Sequence, residues 1–285
     1  DTVQTPTASN NGGFGQFCET QNFYHLAWGT SNAKSLTLSF WVKSNKTGTY
    51  VCQFKQNESG THYYILKEYT INTADTWEKK IITIDGNTSQ SFDGTVNGDG
   101  FRMMWWLASG PDDYATKDVW TADSGYKATS NQVNLWDNAA NYWRITGTQL
   151  EVGENATPFE HRPYDAELAR CQRYFQSFGG SNVSETVGQG TSFSTTNTYV
   201  LIHLLQTMRS VPSLGYSAVG DWRLHYPGVT GQEATVMAIS TNDSNNTKVI
   251  VNTTTATNAS MGGGKCIQLT ADSTISARLT FSAEL

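Results

Sequence analysis

The sequence predicts an all-β protein, built from two β-sandwich, jelly-roll-like domains that are joined by a short helix. Its 285 residues exceed what one hydrophobic core usually organises. Charged residues make up only 15% and aromatic residues 12%, which favours short strands joined by turns over long amphipathic helices. We therefore expect a first sandwich over residues 1–164, a helical linker over 165–178 and a second sandwich over 179–285.

The strands of the first domain are predicted by alternation of polar and apolar side chains. Residues 35–43 alternate small polar with large apolar side chains and precede a turn at 44–49, which is typical of a hairpin strand with one buried face. Similar runs bounded by Gly, Asn or Asp predict further strands at 49–54, 62–66, 69–71, 77–84, 100–107 and 142–152. Strands at this spacing are typical of a sandwich or jelly roll. We assign Trp41, Trp77 and Trp143 to its core.

A long polar connection lies between Leu107 and Tyr142. Connections of this length are usually functional or disordered. The isolated Trp120 and Trp136 favour an ordered loop that is competent to bind a ligand.

A helix is predicted after Pro163. Asp165 is placed to cap its N-terminus, and Leu168, Cys171 and Phe175 fall on one face. Beyond 179–180 the pattern is again that of strands, which we expect at 199–205, 235–239, 248–251 and 276–281.

Charge and cysteine spacing exclude several classes of function. The net charge of −6 disfavours contact with nucleic acid and anionic lipid, and no run approaches the roughly 18 apolar residues of a membrane-spanning helix. No CxxC pair is present, so a zinc or redox centre is disfavoured. We expect free, buried thiols at Cys18, Cys52, Cys171 and Cys266.

Residues 145–164, ITGTQLEVGENATPFEHRPY, resemble a signature that closes the carbohydrate-binding-module-like domain of many phage tail-fibre and other virion proteins. The following residues 167–175 and the upstream residues 26–34 and 38–44 are also similar to that family, so the resemblance covers about 24–176. It implies a structural protein of the virion, assembled in the host bacterial cytoplasm and then extracellular. It also implies contacts with other virion proteins and a homotrimer.

Aromatic side chains are the candidates for contact with a host-surface glycan, because a flat ring stacks on the apolar face of a sugar. Trp105 and Trp106 are adjacent in a strand, so their side chains point to opposite faces. We expect one of them in the core and the other exposed or covered by the long connection. The full candidate set is Trp105, Trp106, Tyr114, Trp120 and Trp136.

Three carboxylates in the long connection, Asp112, Asp113 and Asp118, are candidate ligands for a structural Ca²⁺ ion, which prefers hard oxygen ligands. Their spacing matches no defined calcium loop, so an ordinary solvated acidic turn is the alternative. No other cofactor is expected.

Enzyme motifs are absent: the sequence has no GxSxG, no HExxH and no phosphate-binding glycine loop. A pair of carboxylates for glycan hydrolysis leaves no spacing signature, so a glycan depolymerase is one alternative. A second alternative is a capsid decoration or cement protein that binds other virion subunits. A third is a secreted sugar-binding module.

Overall fold

The computed structural model describes residues 3–58, 61–92, 94, 97–122, 125–226, 229–255, 262–272 and 275–284. Strands account for 48% of the described residues and helices for 9%. The all-β prediction is therefore confirmed. The chain folds as two compact units, Asp1–His161 (unit 1) and Arg162–Glu284 (unit 2). The division lies three residues before the expected domain end at 164.

No helix among the described residues combines the length and the apolar character that crossing a membrane requires.

The described part of unit 1 contains two antiparallel sheets. One has the strand order β1-β6-β3-β4-β7 and the other β5-β2-β8. The strands are β1 (Asn11–Glu19), β2 (Leu36–Ser44), β3 (Gly48–Glu58), β4 (Thr61–Ile71), β5 (Glu78–Ile84), β6 (Asp99–Ser109), β7 (Thr121–Ala122) and β8 (Trp143–Val152).

Both sheets of unit 1 contribute to one apolar core. Successive side chains of a strand point to opposite faces, so β2 sends Leu38 and Phe40 into the core, and β6 sends Trp105. The Phe40 ring meets Trp105 and Tyr69 edge to face, with ring centroids 5.7 Å and 5.2 Å away. Aromatic packing therefore joins the inner faces of the two sheets.

The structure corrects the assignment of Trp41 and Trp77 to the core. Trp41 retains 42% of its exposure, because Phe40 and Val42 on either side of it point inward. Trp77 is similarly exposed. Trp143 is half-buried against the core, and its indole Nε1 donates to the Tyr69 hydroxyl at 3.2 Å.

Two differences in strand pattern have simple causes. The runs predicted at 62–66 and 69–71 form one strand, because the residues between them keep their pairing with β3. β1 was not predicted because it is rich in glycine. A Cβ added to Gly12 would lie 2.0 Å from the Trp136 ring, and one on Gly15 would lie 1.9 Å from the Met104 sulfur. Large side chains of neighbouring segments occupy that space.

The described part of unit 2 contains a closed barrel with the strand order β10-β11-β15-β14-β13-β16 and a sheet with the order β12-β17-β9. This arrangement differs from the expected second sandwich. The strands are β9 (Phe175–Phe178), β10 (Thr186–Ser192), β11 (Asn197–His203), β12 (Ser213–Tyr216), β13 (Trp222–Tyr226), β14 (Val229–Ile239), β15 (Lys248–Thr255), β16 (Cys266–Ala271) and β17 (Leu279–Ser282). Barrel and sheet share a core that includes Trp222, Leu224 and Phe281.

Helix α1 (Tyr164–Gln172) begins one residue earlier than expected, so Asp165 lies in its first turn and makes no capping hydrogen bond. Phe175 belongs to β9 and pairs with β17, so it is not on the helix face with Leu168. None of the helix residues, all of which the structure describes, is buried. A helix of this length is marginal without tertiary contacts.

The cysteines are free thiols, but the expectation that all are buried is wrong. Cys52 is buried and Cys18 is half-buried, whereas Cys171 and Cys266 are exposed. Burial, with Asp99 nearby, raises the pKa of Cys18 to about 12. Because the thiolate is the reactive species, this shift disfavours reaction of Cys18 at neutral pH.

Trp105, in the core, and Trp41, on the outer face of its sheet, provide a test of the core of unit 1. Trp105 is 1% exposed, and Trp105→Ala should cost about 3–5 kcal/mol of stability because a large cavity is left. Trp41→Ala, on the outer face, should cost less than about 1 kcal/mol. Denaturant unfolding followed by circular dichroism measures both, and equal losses would contradict this assignment of faces.

Candidate functional site

The outer face of the β1-β6-β3-β4-β7 sheet carries the candidate site. Partners in antiparallel register share a face, so the strand pairings place Phe17, Arg102, Lys55 and Tyr64 in one row across β1, β6, β3 and β4. This row of aromatic and cationic side chains faces away from the main core.

The connection between β6 and β8 covers one end of that outer face; its residues 123–124 lie outside the described residues. A second, smaller apolar cluster forms beneath it. The cluster comprises Val51, Tyr64, Leu66, Trp106 and Ala128, with Met104, Tyr114, Ala115 and Tyr126 packed against it. The outer face is therefore apolar beneath the connection and polar beyond it.

Two glutamines hold the connection on the sheet. The Gln132 side chain accepts from the Val51 backbone N–H at 2.8 Å and donates to the Trp106 carbonyl at 3.1 Å. The Gln53 side chain donates to the Tyr126 carbonyl at 2.7 Å and accepts from the Trp106 indole at 3.3 Å. Because both amides are buried, losing either would leave buried polar groups without partners.

Glu68 on β4 supplies a charged anchor. Its carboxylate accepts from Thr129 Oγ1 at 2.6 Å, Asn131 Nδ2 at 3.0 Å and Lys117 Nζ at 2.6 Å. Burial alone would raise the pKa of Glu68, but these hydrogen bonds and the Lys117 charge outweigh it and lower the pKa. The group that holds the connection is therefore the ionised carboxylate of Glu68.

A cleft of about 190 Å³ opens where the connection ends over the sheet. Three of its lining residues, Lys55, Arg102 and Lys127, are cationic, in a chain whose net charge is −6. The other lining residues are Phe17, Gln53, Met104, Trp106, Gly125 and Tyr126. Cationic groups and rings at one opening suit a ligand with a negative group and a flat apolar face.

Neighbouring acids orient two of these cations. The Arg102 guanidinium forms an ion pair with Asp99 and lies 4.6 Å from the centre of the Phe17 ring. Lys127 Nζ lies 2.8 Å from Asp113 Oδ1. Both cations keep about a quarter of their side-chain surface exposed, which leaves donors at the opening.

The two adjacent tryptophans lie on opposite faces of β6. Trp105 is enclosed in the main core, so its ring does not reach the surface. Trp106 is covered by the connection, belongs to the smaller cluster and lines the cleft.

The other three candidate rings have structural partners. The Tyr114 hydroxyl donates to the Ser109 carbonyl at 3.1 Å. The Trp120 indole donates to the Asp85 carbonyl at 2.9 Å, and Trp136 packs against the main core. None of the three lines the cleft, so the structure does not assemble them into a common binding surface.

The three candidate calcium ligands have other partners or face solvent. Asp113 is committed to Lys127 and accepts from Asn11 Nδ2 at 2.9 Å, while Asp118 pairs with Lys67 at 2.8 Å. Asp112 is exposed. Within the described ranges, no group of three or more His, Cys, Asp or Glu side chains is arranged to hold a metal ion.

No sequence pattern predicts the cationic residues of the cleft. Lys55, Arg102 and Lys127 come from β3, β6 and the connection, so no spacing relates them. The available signal was the alternation in β6, where Arg102, Met104 and Trp106 share the face opposite to Phe101 and Trp105.

No protein-family model matches the chain, and neither the curated proteins nor the solved structures contain a match to it. The resemblance over about 24–176 therefore stays a prediction from the sequence.

The Glu68 anchor predicts a defined dependence of stability on pH. The folded pKa lies below the unfolded value of about 4.3, so the stabilisation is complete above that value and is lost as the pH falls through the folded pKa. Glu68→Gln should lower stability at pH 7 by about 1 kcal/mol, and its difference from the parent should disappear in acid. Thermal unfolding as a function of pH measures this. Glu154→Gln, at an exposed position, is the control, and equal pH curves for both variants would contradict the anchor.

Proposed function

We propose that the chain is a non-enzymatic structural protein of a bacteriophage particle, a fibre-type appendage that adheres to glycans on the host surface. In this proposal unit 1 is the carbohydrate-binding-module-like β-sandwich, and the cleft beside Arg102 is its binding site. The sequence resemblance supports the class of protein, and the two-sheet architecture of unit 1 is compatible with it. The cleft supports adhesion, and it is the observation on which the proposal rests.

The chemistry of the cleft favours an acidic glycan. A guanidinium pairs with a carboxylate through two parallel hydrogen bonds, and Arg102 is already oriented by Asp99. Lys55 stands opposite Arg102 in the strand register, so both cations are within reach of one ligand. The half-exposed rings of Phe17 and Tyr126 provide apolar surface for a sugar ring.

A second role, contact with other virion subunits, is favoured by the outer face of the β5-β2-β8 sheet. Trp41, Ile81 and Phe159 are all exposed there. Trp41 and Phe159 both border Gly147, because an added Cβ would lie 3.3 Å and 3.9 Å from their rings. A cluster of exposed large apolar side chains of this kind is typical of protein interfaces. It supports the homotrimer, and it fits a capsid decoration protein equally well.

Removing the cations of the cleft tests adhesion. Lys55→Ala combined with Arg102→Ala should weaken binding of an oligogalacturonate, measured by calorimetry, by roughly tenfold to a hundredfold, because hydrogen bonds to charged groups contribute about 1.5–3 kcal/mol. Lys79→Ala, at an exposed lysine of the other sheet, should leave affinity unchanged. Equal effects of the two replacements, or no binding by the parent chain to any acidic oligosaccharide on an array, would contradict the proposal.

The position of the protein on the particle tests the class. Antibodies against the chain, visualised by gold labelling of purified phage, should mark a few projecting appendages, and light scattering of the isolated chain should give a trimeric mass. Labelling spread over the capsid lattice would favour the decoration role. Absence of label from the particle would exclude both.

A further inference from the structure

A cavity of about 390 Å³ opens in the barrel of unit 2. It is lined by residues that include Gln189, His225, Tyr226, Cys266 and Gln268. Its volume lies in the range of about 300–1,000 Å³ that is typical of ligand sites. None of its lining residues, all described by the structure, carries a carboxylate, amine or guanidinium. The cavity therefore differs in chemistry from the cationic cleft of unit 1.

Polar side chains form a row across three barrel strands beside this cavity. His225 on β13 pairs in register with Gln268 on β16, which pairs with Gln189 on β10. Their neighbours Leu224 and Leu269 are buried in the barrel core, so the row lies on the outer wall. An amide offers both donors and an acceptor, the combination that hydroxyl groups of sugars require.

Tyr226 also borders this cavity and is 5% exposed. It belongs to the core cluster together with Trp222 and Leu224, so its ring lies on the inner side of β13, opposite to His225. Tyr226 is therefore not part of the polar row on the outer wall.

An exposed pair of rings continues this wall. Phe193 and Tyr199 are both exposed, and their ring centroids lie 5.4 Å apart at an interplanar angle of 32°. Thr191 on β10 pairs in register both with Cys266, at the cavity, and with Tyr199 on β11. The ring pair thus lies beside β10, whose Gln189 and Gly190 line the cavity, on the same outer wall.

We propose that this wall, from the cavity to the Phe193–Tyr199 pair, binds an uncharged oligosaccharide. The glutamine amides and His225 bind hydroxyl groups, and the two rings stack on the apolar face of a sugar. From β13 to β11 there are three strand spacings of about 4.8 Å, or about 14 Å in all. The ligand is therefore longer than one sugar. This site goes beyond the cleft of unit 1 and is independent of it.

Paired tyrosine variants of the full chain test the site. Tyr199 and Tyr216 are 40% and 39% exposed, and Tyr216 lies on β12, outside the barrel. The parent chain should bind neutral oligosaccharides on an array that carries glucose, galactose, mannose and N-acetylglucosamine oligomers. Tyr199→Ala should weaken that binding about tenfold or more, as should Gln268→Ala, while Tyr216→Ala should leave it unchanged.

Three results would overturn the site as a whole: no neutral oligosaccharide bound on the array, equal affinity of the Tyr199 and Tyr216 variants, or a change of oligomeric mass in Tyr199→Ala without any sugar binding. The last result would identify the ring pair as a protein interface. Lys55→Ala with Arg102→Ala should leave neutral sugar binding unchanged, so failure of the cleft and failure of this site are distinguishable.

Discussion

The burial of two adjacent tryptophans on opposite faces of β6 is the constraint on which unit 1 depends. Trp105 enters the core between the two sheets, and Trp106 points to the outer face, which would otherwise be in water. The connection between β6 and β8 must therefore lie on the sheet, because leaving a large ring exposed forfeits about 1.5–3 kcal/mol. Gln53 and Gln132 satisfy the polar groups that this covering buries. The cleft is the part of the outer face that the connection leaves open.

In unit 2 the main sheet is closed into a barrel. In the barrel each strand is paired on both sides, which removes the open edges that otherwise invite association. Apolar side chains such as Leu224 and Leu269 fill the interior, and the alternate positions are presented on the outer wall. A row such as His225, Gln268 and Gln189 can vary there without cost to the core, which makes such a wall a suitable place for ligand contacts.

Patterns in the sequence predict only part of the candidate site. Alternation in β6 was sufficient to separate Trp105 from Trp106, because the period of a strand is two. Trp120 and Trp136 are isolated in a polar segment of the sequence, but isolation along the chain does not determine packing. Trp120 is held by the Asp85 carbonyl from a distant segment. Likewise, Asp118 and Asp113 form ion pairs with Lys67 and Lys127, and no spacing in the sequence indicates these pairs.

The sequence by itself determined the all-β class and most strands of unit 1, because alternation and turn residues act locally. It also indicated α1, although the helix begins at Tyr164 and ends at Gln172, whereas the sequence predicted 165–178. Only the tertiary structure decided that β10 pairs with β16 and closes the barrel, and that the glycine-rich β1 is a strand at all. It alone placed Arg102, Lys55 and Phe17 in one row. These outcomes depend on pairing between segments far apart in the chain, where the free energy comes from complementary surfaces and not from local pattern.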